Sequence, residues 1–327
     1  MAEAIIEIEG LTKRFGSLTA VDHVDLTIPR GEIFGLLGPN GAGKTTTIQM
    51  LITIKKPTEG TARINGFDIR ESPHDVRRQV GIVFQEPSID SILTGRENLE
   101  LHGRLYGVPR GEREERIREL LKLVDLEKRA DDLARTYSGG MKRRLEIARG
   151  LLHQPAVMFL DEPTLGLDPA TREHIWEYIE RLRDERGTTI VLTTHYMEEA
   201  DALCDRIGII DHGRIIALDT PRALKASLGG DLVTLRLKDP STKPFEGLPF
   251  VEKAELRGRE VVLTVRNAPQ NLAALVKAAG DVEAVEVHTP TLEDVFLRYT
   301  GRQIRDEEQE EGGFADDFFR YQQSSQR

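Results

Sequence analysis

Apolar positions near the amino terminus fall on alternate residues. Ile6 and Ile8, then Val24, Leu26 and Ile28, follow this rule between residues 5 and 35, with turns near Phe15-Gly16 and Pro29-Arg30-Gly31. A period of two is that of strands burying one face. Ile33 to Leu37 is a short unbroken apolar strand leading into a glycine-rich loop, and a helix is predicted from Thr45 onward. From about Arg96 to Arg135 the pattern turns helical and heavily charged, with Leu101, Leu105, Ile117, Leu120, Leu121 and Val124 on the apolar face. Strands and helices then alternate: Val157 to Leu160, a helix around Arg172 to Glu185, Thr188 to Thr193, Met197 to Leu203, and Ile207 to Ile210. Such alternation predicts a mainly parallel sheet with helices on its faces. A closing helix is expected over Leu218 to Leu228, begun by Thr220-Pro221 and stopped at Gly229-Gly230.

A second unit is expected over residues 229–301. Leu232 to Leu237 and Glu260 to Val265 read as strands, Leu272 to Ala279 as a helix and Val282 to Val287 as a further strand, an α+β module. Beyond Gly301 periodicity is lost and acids gather (Asp306, Glu307, Glu308, Glu310, Glu311), which predicts a flexible tail over residues 302–327. Phe314, Phe318, Phe319 and Tyr321 stand in that tail among Asp316, Asp317 and Arg320. They admit two readings, a disordered segment or a contact with the second unit or with another copy.

Composition narrows the class without choosing it. The chain has 327 residues, 39% hydrophobic and 31% charged, which suits a globular protein with a sizeable core. A formal net charge of -10 argues against nucleic acid as the main partner. The single cysteine, Cys204, excludes an internal disulfide framework, fits a reducing cytosol and reads as a small apolar core residue. Met1 to Glu7 lacks the basic region of a signal peptide. No apolar run approaches the roughly 20 residues needed to cross a bilayer, so a role at a membrane would need spanning helices from another chain.

Chemistry concentrates in a few places. Gly38-Pro39-Asn40-Gly41-Ala42-Gly43-Lys44-Thr45 has the form G-x-x-x-x-G-K-[ST] and lies between a strand and a helix, the setting of a phosphate-binding loop. Backbone N–H groups of residues 40 to 45 can wrap a polyphosphate, aided by the helix dipole. Lys44 can reach the β- and γ-phosphates, and the Thr45 hydroxyl can meet Mg²⁺. The apolar run Ala156 to Leu160 ends on Asp161-Glu162. Asp161 is placed to hold Mg²⁺ and Glu162 to orient or deprotonate an attacking water; paired acids at a strand end can also be plain surface residues. Gln85, after Gly81-Ile82-Val83-Phe84, could touch metal and water or simply face solvent, and His195, ending the strand Ile190 to Thr194, could donate to the γ-phosphate or, as an isolated histidine more often is, be a satisfied or exposed side chain. Ser138-Gly139-Gly140 opens a basic helix carrying Lys142, Arg143, Arg144 and Arg149. Together these motifs read as an ATP-hydrolysing cassette.

On these residues the chain resembles the nucleotide-binding subunits of ABC transporters over about residues 5–228, with a helical subdomain at about 90–150. The resemblance implies an α/β P-loop ABC cassette with an antiparallel β subdomain and a helical subdomain, followed by the small α+β unit. It implies that Gly38 to Thr46 is the Walker A loop, Gln85 the Q-loop glutamine, Asp161-Glu162 the end of Walker B, and His195 the switch histidine. Ser138-Gly139-Gly140-Met141 is similar to the family signature and Leu165-Gly166-Leu167-Asp168 to the D-loop. Phe15 falls where the family stacks an aromatic ring on adenine, although a buried core Phe is the alternative. Two departures are Tyr137, where the family usually has Leu, and Met141, where it usually has Gln. The family pattern implies two cassettes, from a homodimer or a paralogue, sandwiching two ATP with Mg²⁺. Ser138 and Gly140 of one chain would face the γ-phosphate bound on the other.

Leu93 to Leu99, Tyr137 to Leu145 and Pro290 to Leu297 resemble the daunorubicin-resistance type of exporter ATPase, which pairs with an ABC-2 type permease. The implied place is the cytoplasmic face of a membrane, with coupling near Gln85 and residues 86–99. A soluble ABC protein acting in translation or repair is the alternative, but those usually carry two cassettes or an inserted coiled coil.

Overall fold

The computed structural model describes residues 3–86 and 88–300. The aromatic tail residues Phe314, Phe318, Phe319 and Tyr321 lie outside the described residues. The first two strands, β1 (Ala4–Phe15) and β2 (Leu18–Pro29), pair antiparallel around a turn at Gly16. Their alternating apolar side chains, among them Ile6, Ile8 and Ile28, are buried. The strand β3 (Ile33–Leu37) is buried at every residue and feeds the glycine loop and α1 (Lys44–Leu51). The strands β4 (Glu59–Ile64) and β5 (Phe67–Asp68) complete a four-stranded sheet in the order β2-β1-β4-β5.

After α2 (Pro73–Gln79) and β6 (Val80–Val83) the chain becomes helical through α3 (Gly95–Leu105), α4 (Arg110–Leu123) and α5 (Gly139–Leu151). Thr94 caps α3 in a capping box with Glu97, so two otherwise orphaned N–H groups are satisfied. The rest of the cassette alternates: β7 (Val157–Asp161), α6 (Pro169–Arg186), β8 (Thr189–Thr194), α7 (Met197–Leu203), β9 (Arg206–Asp211), β10 (Arg214–Asp219) and α8 (Pro221–Ala226). The second sheet has the order β10-β9-β3-β8-β7-β6, parallel except for β10. In its register Leu37 lies level with Thr194 and Asp161 with Thr193. The loops after β3, β7 and β8 therefore emerge together at one edge, where ligands bind in parallel sheets.

A third sheet follows, made of β11 (Asp231–Leu237), β12 (Val251–Arg257), β13 (Glu260–Val265) and, after α9 (Ala268–Ala279), β14 (Val282–His288). Its order is β12-β13-β11-β14, and Val233, Leu235, Val261, Leu263 and Leu275 form its own core with α9. The helix α10 (Leu292–Thr300), the last among the described residues, leaves this unit. Its buried Leu292, Val295 and Phe296 sit at i, i+3 and i+4 and join the cassette core cluster, not that of the third sheet. It packs on α7 and α8, and Arg298 Nη1 donates to the Ser227 carbonyl at 2.7 Å.

Three expectations change. The region 218–228 is not one helix, because Leu218 and Asp219 complete β10 and Thr220 caps a short α8 by accepting from the Ala223 N–H at 3.1 Å. Leu101 and Leu105, expected on the buried face, are 47% and 75% exposed; α3 instead buries Asn98, Leu99 and Gly103. Residues 292–300, expected within the second unit, complete the cassette core. Cys204 is a buried core residue, as expected, packed so closely that a methyl group on Gly35 would lie 2.6 Å from its sulfur.

The helical region holds a ring cluster of two half-buried histidines and the more exposed Tyr106. Tyr106 stacks on His153 with centroids 3.9 Å apart, and His102 lies 4.7 Å from Tyr106. Burial, with Arg149 and His153 close by, pushes His102 down to about 3. An unfolded histidine titrates near 6.5, so the folded pKa is depressed and the folded form resists protonation. Stability is then full above about pH 6.5 and is lost as pH falls from there toward 3. Urea unfolding at pH 7.5 and 5.5 is expected to differ by on the order of 1 kcal/mol, with a smaller difference in His102→Phe.

The sole tryptophan, Trp176, packs against the cassette core and so reports on it. In Phe296→Ala its urea transition is expected to move by about 3–5 kcal/mol, although the substitution lies in α10, beyond the third sheet. An unmoved Trp176 transition would show that α10 does not stabilise the cassette.

Candidate functional site

The carboxyl edge of the parallel sheet brings together Lys44, Thr45, Asp161, Glu162 and His195. Lys44 is 4% exposed and its ammonium is held by the carbonyls of Gly38 at 2.7 Å and Pro39 at 3.2 Å. The same nitrogen lies 3.2 Å from Glu162 Oε1, while His195 Nδ1 donates to Glu162 Oε2 at 2.8 Å. A buried carboxylate thus sits between a lysine and a histidine. Burial pushes Glu162 up, but the His195 hydrogen bond and the Lys44 charge outweigh it and hold the carboxyl below its ordinary value. Burial also lowers the Lys44 pKa, with Glu162 opposing.

Glu162 has a backbone φ of 48°, in the left-handed region that non-glycine residues seldom adopt. Its N–H donates to the Thr193 carbonyl and hydroxyl, each at 3.1 Å. Its carbonyl accepts from Arg143 Nη2 at 2.7 Å. The unusual turn is therefore held from both sides and aims the side chain back at Lys44. Gly43 has the other demanding conformation, with φ at 107° and a methyl group barred by the Ala20 carbonyl.

Thr45 Oγ1 donates to Asp161 Oδ1 at 3.2 Å, and the Thr193 hydroxyl donates to the same oxygen. These oxygens suit a hard divalent cation such as Mg²⁺. No three His, Cys, Asp or Glu side chains cluster as a metal site among the described residues. A cation here would thus draw further ligands from phosphate and water. Gln85 is exposed, as its plainer reading had it, yet it lines a cavity of about 300 Å³ with Glu162 and the loop residues Pro39, Asn40, Gly41, Gly43, Lys44, Thr45 and Thr46. Gly38 and Ala42 lie beneath that loop: Ala42 is 3% exposed, and a methyl group on Gly38 would strike the Ile210 carbonyl.

Phe15 is 43% exposed, which removes the core alternative, and the ammonium groups of Lys55 and Lys13 lie 4.9 and 5.1 Å from its ring centre. The signature residues stand elsewhere. Ser138 caps α5 by accepting from the Met141 N–H at 3.3 Å. Gly140 is tight against α6, since a methyl group there would meet Thr171 Cγ2 at 2.5 Å, whereas Gly139 is exposed. Ser138 and Gly140 line a second cavity that shares no lining residue with the first. Asp168 caps α6, accepting from the Thr171 N–H at 3.0 Å and hydroxyl at 2.6 Å, and those bonds hold its carboxyl below the usual range. Tyr137 is buried and donates to the Arg129 carbonyl, and its ring leaves no room for a side chain at Gly95.

Sequence reasoning gave no role to Arg143 or Thr193. Arg143 is buried, and its guanidinium donates to the carbonyls of Pro163 at 2.7 Å, Asp161 at 3.1 Å, Glu162 and Phe84, and to Glu146 Oε2 at 3.2 Å. A basic helix reads as a solvated surface, and only its nearness in sequence to Ser138 hinted otherwise. Beyond His195, the Tyr196 ring lies 4.1 Å from the imidazole and carries Arg172 at 4.3 Å on it.

A glycine loop with its lysine and threonine, set beside strand-end acids and a histidine, defines a P-loop nucleoside triphosphatase. Residues 21–165 match the ABC transporter model, and residues 220–300 match that of the DrrA1-3-like ATP-binding protein C-terminal domain. The daunorubicin/doxorubicin resistance ATP-binding protein DrrA of Streptomyces peucetius is 41% identical, covering 94% of this chain and 95% of its own. The Nod factor export ATP-binding protein I of Ralstonia nicotianae is 42% identical, covering 92% and 95%. The linearmycin resistance ATP-binding protein LnrL of Bacillus subtilis is 38% identical, covering 92% and 100%. Among solved structures, cbiO1 of the Clostridium perfringens cbiONQ ABC transporter complex superposes with a TM-score of 0.65 at 30% identity, over 69% of this chain and 92% of its own. The chain belongs to the ATP-binding subunits of the ABC transporter family.

Thr193→Val keeps the side-chain shape and removes the hydroxyl that joins Asp161 to the Glu162 N–H. ATP hydrolysis in this variant is expected to fall about tenfold and to need more Mg²⁺, as partners one step removed from a metal commonly dictate. A Mg²⁺ titration of the ATPase rate checks both.

Proposed function

We propose that the chain is the ATP-hydrolysing subunit of an export system, driving a drug, antibiotic or other amphipathic molecule through a separate ABC-2 type permease at the cytoplasmic face of a membrane. The observation that carries the chemistry is the buried Glu162 carboxylate between Lys44 and His195 at the mouth of the phosphate loop. Loop N–H groups wrap the phosphates of ATP, and Phe15 stacks on the adenine. A triphosphate draws the Lys44 ammonium away from Glu162. The freed carboxylate then accepts a proton from the water that attacks the γ-phosphorus, as the bond from that phosphorus to the bridging oxygen breaks and ADP leaves. Proton transfer of this kind contributes typically 10² to 10⁴ in rate. His195, fixed through Nδ1, orients the γ-phosphate. Thr45, Asp161 and Gln85 are the residues that would hold Mg²⁺, which offsets charge building on the phosphate oxygens.

Ser138 and Gly140 line a cavity that shares no residue with the cavity at the loop, and with Gly139 and Asp168 they complete the site of a second cassette, a copy of this chain or a paralogue. A relative's cassette bound to ADP and Pi has been solved as a dimer, with a TM-score of 0.60 at 31% identity, over 66% of this chain and 98% of its own. Among the described residues no helix is long and apolar enough to cross a membrane, so export needs a spanning partner. Exposed Ile92, Leu101 and Leu105 offer that partner an apolar contact on the helical region. The match of residues 220–300 to an exporter-type domain weighs against a soluble translation or repair factor.

Glu162→Gln is expected to bind ATP, to lose about 10² to 10⁴ in turnover and to accumulate as an ATP-bound dimer in gel filtration. Lys44→Ala is expected to lose ATP binding itself. Unchanged turnover in Glu162→Gln would remove that residue from the mechanism.

A further inference from the structure

The helix α5 carries Arg143, Glu146 and Arg149 at i, i+3 and i+6, along one side. Glu146 is 1% exposed and Arg143 7%. Such charges are costly to bury, and a hydrophobic face would pack as well, so their retention calls for a positional account. Glu146 Oε1 accepts from the Ser88 N–H at 2.6 Å and from its hydroxyl at 3.3 Å. Arg149 donates to the Ser88 carbonyl and hydroxyl. Arg143, paired with Glu146, donates to the Phe84 carbonyl. Phe84 precedes Gln85 in the chain and Ser88 follows it, so the helix that begins at Ser138 grips Gln85 from both flanks.

We propose that Glu146 is a positioning residue for ATP hydrolysis, holding the Gln85 segment to the signature helix so that Gln85 and Ser138 move as one body. Glu146 has the central place because it touches Ser88 and also pairs with Arg143, which reaches the carbonyls of Asp161, Glu162 and Pro163. One helix thereby joins the residue that faces metal and water, the strand end that carries Glu162, and the serine that faces a second nucleotide. A push on the Gln85 segment from a permease reaches Ser138 through two hydrogen-bonded steps. This inference rests on the reading of Gln85 as a group that meets metal and water.

The test is ATP hydrolysis by the full chain, with Mg²⁺ titrated at saturating ATP, for Gln85→Ala, Glu146→Met, their double mutant and Ser88→Pro. Methionine keeps the volume of Glu146 and removes the acceptor; proline at exposed Ser88 removes the N–H without touching the core. Each single variant is expected to raise the half-saturating Mg²⁺ about tenfold, with the ATP KM changed less than about twofold. The double mutant is expected to be no worse than Gln85→Ala alone, since both act through one group. A residue that merely packs would lower stability without moving the Mg²⁺ requirement, and thermal unfolding followed by Trp176 fluorescence separates the two. Wild-type Mg²⁺ dependence in Glu146→Met, or effects that multiply in the double mutant, would overturn the proposal while leaving Gln85 its role. If Glu146→Met does not fold, Ser88→Pro decides, and wild-type Mg²⁺ dependence there overturns it. Gln85→Ala indistinguishable from wild type would overturn the reading of Gln85 and the proposal together.

Discussion

The parallel register of β3, β7 and β8 is the constraint on which the site depends. Because Leu37 is level with Thr194 and Asp161 with Thr193, the glycine loop, Glu162 and His195 leave the sheet side by side. A slip of one residue would send Asp161 and Thr193 to opposite faces of their strands and part the acid from its hydroxyl partner. The register is enforced by burial, since every residue of β3, β7 and β8 is inside the protein. Chemistry at the edge is thus set by apolar packing behind it.

Burial at that edge also governs the charges. Lys44 and Glu162 are both almost out of solvent, and either alone would be expensive to keep ionised. Paired, with His195 donating to the carboxylate, each offsets part of the cost of burying the other. In the mechanism proposed above the pairing also has a functional side, because a base engaged by lysine is a poor base until a more highly charged partner claims that lysine. Water near the site is then not activated at random.

Much of this was legible in the sequence because two periods and one loop motif carry most of the fold. Alternation placed β1 and β2, unbroken apolar runs placed β3 and β7, and the loop between strand and helix placed Lys44 and Thr45. What stayed hidden was a matter of partners. The apolar stripe Leu292, Val295, Phe296 says that α10 packs on something, but not that it returns to the cassette. The charges of Arg143 and Glu146 look like those of any solvated helix, and only the fold shows them turned inward. Thr193 is one β-branched residue among many in strands, with nothing local to mark its bond to Asp161. Leu101 and Leu105 fit a helical period and yet face outward, because helical spacing fixes which residues share a face but not which face is covered.

The return of α10 bears on how the molecule is made. The cassette core that includes Ile33 and Leu37 also includes Leu292, Val295 and Phe296, which are synthesised after the accessory sheet. During translation the nucleotide-binding unit is therefore left with an uncovered apolar surface until the accessory sheet has followed it off the ribosome. Domains generally fold in the order in which they emerge. Here the first cannot be finished before the second, so the accessory unit is also a timing device for biogenesis, and a prematurely ended chain would yield a cassette whose core is missing its final layer.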